Sequence, residues 1–396
     1  MRKVYLDHAA TTPVAPEVAE IMVRYMIEHF GNPSSIHAWG REVRKAVEQA
    51  REQVAALIGA QPNEIVFTSG GTEADNLALR GVMAAHRKQG NHLITSKVEH
   101  HAVLHTAEEL EKEGYRVTYL GVDKDGAVDP EQARAAITPE TVLVSLMLAN
   151  NEIGTLQPVA EVARICHERG VLVHTDAVQA MGQVPVDVNA LGVDLLTLSA
   201  HKIYGPKGIG VLYVRRRTKI QSMVHGGSQE RRVRPGTENV PGIIGLGKAA
   251  ELARRHLAER SAHLLKLRER LIEGLLRIPY VRLNGHRTDR LPGNVNVSVE
   301  FVEGEAMLLN LDLRGVAASS GSACTSGSLE PSHVIMALGV PAEMAHGSLR
   351  LTLGQGNTEE DIDYVTTSLT EIVERLRAMS PLWNDAGSRE EKATRV

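Results

Sequence analysis

The chain has 396 residues, a formal net charge of −4 and a composition that is 43% hydrophobic and 23% charged. That length allows one large domain or two ordinary ones with ample core; without a dense basic cluster nucleic acid finds no electrostatic footprint, and no run approaches the ~18 apolar residues of a membrane span. The start, Met1-Arg2-Lys3-Val4-Tyr5-Leu6-Asp7, turns acidic too early for a secretory signal, and two distant cysteines, Cys166 and Cys324, argue against a disulfide framework or a cysteine-built zinc site, so a cytoplasmic protein is expected.

From about residue 41 amphipathic helices alternate with short apolar runs. Val43, Ala46, Val47, Ala50, Val54 and Leu57 recur at helical spacing up to a stop at Gly59. Apolar runs follow at 64–68, 92–95, 116–120, 142–148, 171–175, 194–198 and 209–214. Most are continuous rather than alternating, which indicates a sheet buried on both faces and hence a largely parallel α/β layer. Cys166 follows Val162 and Ile165 on a predicted helix and reads as core. Past residue 242 the pattern predicts a long helix to about 276, NVNVSV at 294–299, a helix near 303–313, a loop holding Cys324, SLRLTL at 348–353 and a final helix. This second part reads as a smaller α+β domain. The division expected is 13–255 for the large domain, 1–12 with 256–383 for the small one, and a polar tail at 384–396.

Ligands of an open parallel sheet bind outside the carboxyl ends of its strands, so the residues after each run carry the chemistry. After 64–68 comes Ser69-Gly70-Gly71-Thr72-Glu73-Ala74, opening into a helix at Asp75. Two glycines, a hydroxyl and a helix N-terminus suit an anion, although a capped glycine turn reads equally well. The run VLVHT leads into Asp176, a carboxylate that either faces a cation or caps the next helix. The run at 194–198 leads into Ser199-Ala200-His201-Lys202, where a partly desolvated lysine amine becomes nucleophilic towards aldehydes, though a lone lysine reads first as solvated. An anion cradle, a carboxylate for a pyridinium and an amine for an aldehyde together match pyridoxal phosphate. Cys324 lies in Ser319-Ser320-Gly321-Ser322-Ala323-Cys324-Thr325-Ser326-Gly327-Ser328, which alone reads as a serine–glycine linker with an incidental thiol. His101 and His105 stand four apart but have no third ligand, and read as surface histidines; Lys207 reads as solvated or near a phosphate.

The segments FGNPSSIH (30–37), SGGTEADN (69–76), EHHAV (99–103), NNEIGT (150–155), HTDAVQA (174–180), SAHKIYGPKG (199–208), RPGTEN (234–239) and SSGSACTSG (319–327) occur in order. With them the chain resembles the pyridoxal-phosphate cysteine desulfurases of the NifS and IscS type, in the class V aminotransferase family, from Tyr5 to about residue 383. The resemblance implies a fold type I transferase, with a mainly parallel seven-stranded sheet in the large domain. It implies that Lys202 holds the cofactor covalently and shuttles the Cα proton, Asp176 keeps the ring nitrogen protonated, Gln179 bonds the ring hydroxyl and His100 stacks on the ring. Gly71, Thr72, Ser199 and His201 would hold the phosphate, and Thr237 that of a neighbouring subunit, so a homodimer is expected. Asn151 would line the site, and Arg350 and Asn32 would lie near the substrate carboxylate. Cys324 would take sulfur from L-cysteine as a persulfide, leaving alanine, and pass it to an iron-sulfur scaffold of the NifU or IscU type. No resident metal is expected, beyond Cys324 as a ligand during cluster transfer. The stretch 327–340 resembles the nitrogenase-dedicated branch, and His8 stands where relatives often have Asn. A class V aminotransferase or a selenocysteine lyase is the alternative; a non-enzymatic scaffold fits poorly with Lys202, Asp176 and His100 all present.

Overall fold

The computed structural model describes residues 2–320, 331–379 and 383, so Cys324 and the tail 384–396 lie outside the described residues. In chain order the first half runs β1 (Val4–Tyr5), α1 (Pro16–Ile27), α2 (Ala38–Ile58), β2 (Ile65–Thr68), α3 (Gly71–Ala85), β3 (His92–Ser96), α4 (His101–Lys112), β4 (Arg116–Leu120), α5 (Pro130–Ala136) and β5 (Thr141–Ser145). Next come α6 (Val159–His167), β6 (Leu172–Asp176), α7 (Val188–Leu191), β7 (Leu195–Ser199), β8 (Gly210–Val214) and α8 (Val240–Leu275). The remainder is β9 (Val281–Leu283), β10 (Asn294–Val299), α9 (Gly304–Asp312), β11 (Val316–Ala317), α10 (His333–Ala337), α11 (Ala342–Ala345), β12 (Ser348–Thr352) and α12 (Glu359–Ala378).

Seven strands form the main sheet in the order β2-β8-β7-β6-β5-β3-β4. All neighbouring pairs are parallel except those of β8, which runs antiparallel to both β2 and β7. Every residue of β2, β3, β5 and β7 is buried, which is why these runs read as continuous rather than alternating. The helix with the 43–57 pattern starts earlier than expected, at Ala38, because the His37 ring accepts the Gly40 N–H as a cap, and it ends where Gly59 turns left-handed (φ 70°). The apolar run 142–148 is a strand only to Ser145. Cys166 is fully buried in α6, as expected, and burial pushes its thiol up to about 12.

A second apolar cluster lies apart from the main one. Leu264, Leu267 and Leu271, on the C-terminal half of α8, pack there with β10, β12 and α12, while the N-terminal half of α8 supplies Ile243, Leu246 and Ala250 to the main core. A three-stranded sheet, β12-β10-β9, backs this second cluster, and β1 pairs in parallel with β11 beside it. From β1 the chain continues as an arm, Asp7 to Thr12, which turns at His8–Ala10 and crosses towards the carboxyl ends of β6 and β7.

Candidate active site

A cavity of about 320 Å³ opens at those carboxyl ends. Its floor is Asp176, the last residue of β6, whose Oδ1 accepts the Val178 N–H at 2.8 Å. Burial raises the Asp176 carboxyl to about 6, while the Val178 hydrogen bond and the Lys202 charge favour its ionised form. Lys202 closes a single helical turn, Ala200–Lys202, directly after β7. Its Nζ donates to the Ala10 carbonyl at 2.9 Å and to that of Ala9. Gln179 donates from Nε2 to the same Ala9 carbonyl at 3.0 Å, and His201 Nδ1 lies 3.1 Å from Thr11 Oγ1. The arm thus holds three residues of the cavity at once.

His100 is the N-cap of α4, and its Nδ1 accepts the Ala102 N–H at 3.1 Å, so a neutral ring carries its proton on Nε2. Burial, then the Lys202 charge, lowers this ring to about 4. His201 is likewise lowered to about 4, and His174, enclosed behind the floor, to about 3 by burial alone. These rings stay neutral in the native protein while the unfolded chain takes up protons below pH 6.5. Native stability is therefore lost as pH falls through that window. Replacing His174 by Asn is expected to flatten the acid slope of the unfolding free energy by up to about 1.4 kcal/mol per pH unit, measured in denaturant titrations.

Gly71, at the N-terminus of α3, lines the cavity together with Thr72 and Ser199. A Cβ at Gly71 would stand 3.1 Å from Val178 Cγ2, so glycine lets the start of α3 pack closely against the cavity floor. Lys207 joins Thr72, Ser199 and His201 around the adjoining groove. On the opposite side Arg350, buried in β12, donates to the Asn151 carbonyl (3.0 Å) and to Asp7 Oδ1 (3.1 Å). Among the described residues Arg350 Nε and Asn151 Oδ1 have no hydrogen-bond partner, although both are buried. The donor set fits an aromatic aldehyde phosphate: anion cradle, floor carboxyl, lysine amine and a guanidinium for a carboxylate.

Asn32 and Thr237 do not line this cavity. Both are exposed; Asn32 Oδ1 accepts the Ser34 N–H, and the loop of Thr237 is tied to the cradle by Arg234, which donates from Nε to Glu73 at 2.8 Å. His101 lies against the cavity, with its ring 4.9 Å from that of His333, which α10 brings in, rather than standing as a plain surface residue. Sequence reading also passed over four acids. Glu152 lines the Arg350 side and Asp7 pairs with Arg350; Asp75 lines the cavity beside Asp176, and Glu99 lies behind it; Glu99 and Glu152 are raised by burial to about 8 and about 7. Glu99 and Glu152 stand in EHHAV and NNEIGT among polar neighbours, so the local sequence carried no sign of their burial.

The aminotransferase class-V family model matches residues 4–365. A protein of Methanosarcina thermophila named cysteine desulfurase IscS is 57% identical over 381 residues, 96% of this chain and 94% of that one. One of the same name from Clostridium botulinum is 54% identical over 387 residues, 97% of this chain and 98% of that one. A solved structure titled NifS-like protein superposes with a TM-score of 0.89 at 39% identity, covering 94% of this chain and all of that one. With the family model spanning nearly the whole chain and relatives above 50% identity, the chain belongs to the class V aminotransferases, among the cysteine desulfurases of the NifS/IscS type.

Proposed function

We propose that this chain is a pyridoxal-phosphate-dependent cysteine desulfurase, which converts L-cysteine to L-alanine and passes the sulfur through Cys324 to an acceptor that builds iron-sulfur clusters. The observation that carries the reading is the meeting of Lys202, Asp176 and His100 in one cavity with Arg350 at its far side. Bound pyridoxal phosphate supplies an electron sink for the substrate's Cα–H and C–S bonds. Lys202 holds it and moves the Cα proton; Asp176 pairs with the ring nitrogen, Gln179 with the ring hydroxyl, and the neutral His100 ring covers the ring face. Gly71, Thr72, Ser199 and His201 hold the phosphate, while Arg350 and Asn151 orient the substrate carboxylate. The Cys324 thiolate takes the substrate sulfur, the C–S electron pair stays with the three-carbon fragment, and that fragment gains a proton to leave as alanine.

Two further assignments rest on the same reading. The working unit is a homodimer, in which Thr237 reaches the partner's phosphate. Support comes from the exposed apolar residues flanking Asn32, namely Ile27, Phe30, Ile36 and Trp39, which a monomer would leave in water. The sulfur acceptor is a scaffold of the NifU or IscU type. The domain boundary falls inside α8 near residue 255, where the helix passes from one apolar cluster to the other. No helix among the described residues is long and apolar enough to cross a membrane.

Purified protein given pyridoxal phosphate, L-cysteine and a thiol reductant should release alanine catalytically. Without reductant, the peptide containing Cys324 should gain the mass of one sulfur atom. Alanine without that gain would remove Cys324 from the reaction; no alanine from cofactor-loaded protein would remove cysteine as the substrate.

A further inference from the structure

The reaction above uses Asp176, yet a second aspartate shares its cavity. Asp75, in α3, is 1% exposed and lines the same space. Among the described residues no lysine or arginine forms an ion pair with it; its one ionisable contact is His174 Nε2, 3.6 Å from Oδ1. That ring offers little charge, because it is fully buried and held at 2.8 Å by Ser145 Oγ and at 3.0 Å by Thr197 Oγ1. Thr197, opposite Asp176 in the β6–β7 register, favours the ionised form of Asp75 through its hydroxyl, but burial and the Asp176 charge both outweigh it. Asp75 Oδ1 has no hydrogen-bond partner among the described residues.

Two carboxylates in one buried space cannot both ionise cheaply, and the surroundings decide which does. The Lys202 ammonium favours the ionised form of Asp176, and the Val178 amide points at it. The charge acting on Asp75 near neutral pH is that of Asp176 on β6, and it is repulsive; Glu99, ahead of α4, is itself held protonated by burial there. Burial adds to the same side. We propose that Asp75 is a positioning residue that works as an uncharged carboxylic acid, so that the floor presents a single negative charge, on Asp176, to a single ring cation. The part concerning the ring cation rests on the cofactor reading above; the protonation of Asp75 does not.

The test is infrared difference spectroscopy on the cofactor-free protein at neutral pH. Wild type minus Asp75→Asn should contain the carbonyl stretch of a protonated carboxyl, whereas a difference confined to carboxylate bands would overturn the proposal. A purely structural role for Asp75 would not determine which band appears. Should Asp75→Asn not fold, Asp75→Ser, which keeps a hydroxyl donor, takes its place. Stability gives a second readout with a fixed sign. A native carboxyl held protonated contributes stability at low pH that is lost as pH rises above the ordinary aspartate range near 4. The wild-type folding equilibrium should therefore decline relative to Asp75→Asn by up to about tenfold per pH unit; parallel curves would count against the proposal. Asp176→Asn should bind pyridoxal phosphate more weakly than wild type and with an altered absorbance. If wild type binds none, the cofactor reading fails while the infrared result still decides the charge of Asp75.

Discussion

Lys202→Ala is expected to lower alanine formation from L-cysteine by at least about 10²–10⁴-fold, the range lost with a positioned acid–base group, while the protein stays folded. Lys202 is the one amine that the turn after β7 delivers to the cavity floor beside Asp176. Its Nζ is steered by two backbone carbonyls, those of Ala9 and Ala10. Arginine in its place would keep the charge and these hydrogen bonds but cannot bond covalently to an aldehyde. Lys202→Arg should accordingly be as inactive as Lys202→Ala, with circular dichroism unchanged in both. Residual activity above a tenth of wild type in the arginine variant would show that the amine is not the reacting group.

Arg51→Met is expected to cost about 3–5 kcal/mol of stability, the penalty for stranding one charge of a buried pair. Arg51, in α2, gives Glu230 two hydrogen bonds at 2.9 and 2.7 Å, and its guanidinium also lies 4.6 Å from the Phe67 ring. Glu230 accepts the Phe67 N–H as well, at 2.9 Å, so one carboxylate ties α2 to β2. This tie sits where the backbone is strained, since Glu230, Arg231 and Arg232 all have positive φ, at 45°, 56° and 66°. Such residues cost on the order of 1–3 kcal/mol each and persist only when surrounding contacts fix them. The segment leads directly to Arg234 and Thr237, so urea titration should show a lower midpoint together with earlier proteolytic cleavage near 229–234. Removing both charges, in Arg51→Met with Glu230→Leu, should recover part of the loss. A double variant no more stable than Arg51→Met alone would mean that packing rather than stranded charge sets the cost.

Most strands of the main sheet were legible because they are buried on both faces, and the residues after β2, β6 and β7 were legible because buried strand ends tolerate Asp176 or Lys202 only for a reason. Other parts left no trace at that level. The grip on Lys202 comes from carbonyls of Ala9 and Ala10, and a backbone oxygen has no side-chain signature. Two-residue strands such as β1 and β11 are too short for periodicity, and their pairing joins residues more than 300 apart. Helix α1 carried its signals, Pro16 at the first turn with Glu17 after it, but buries only Val18 and leaves Val23, Met26 and Ile27 exposed, so no inward stripe marked it. His333 meets His101 only through the packing of α10 against α4, and spacing along the chain cannot express that contact.

The arm from Asp7 to Thr12 has a consequence for biosynthesis. Its contacts with Arg350 and Thr352 span 343 and 344 positions. Synthesis runs from the N-terminus at about 5–20 residues per second, so the arm waits for most of translation before β12 emerges to receive it. A ribosome-bound fragment ending before β12 contains Lys202 and Asp176 but lacks Arg350, the partner of Asp7 in the arm. The arm, and with it the carbonyls that hold Lys202, is thereby fixed at this end only once the polypeptide is nearly finished.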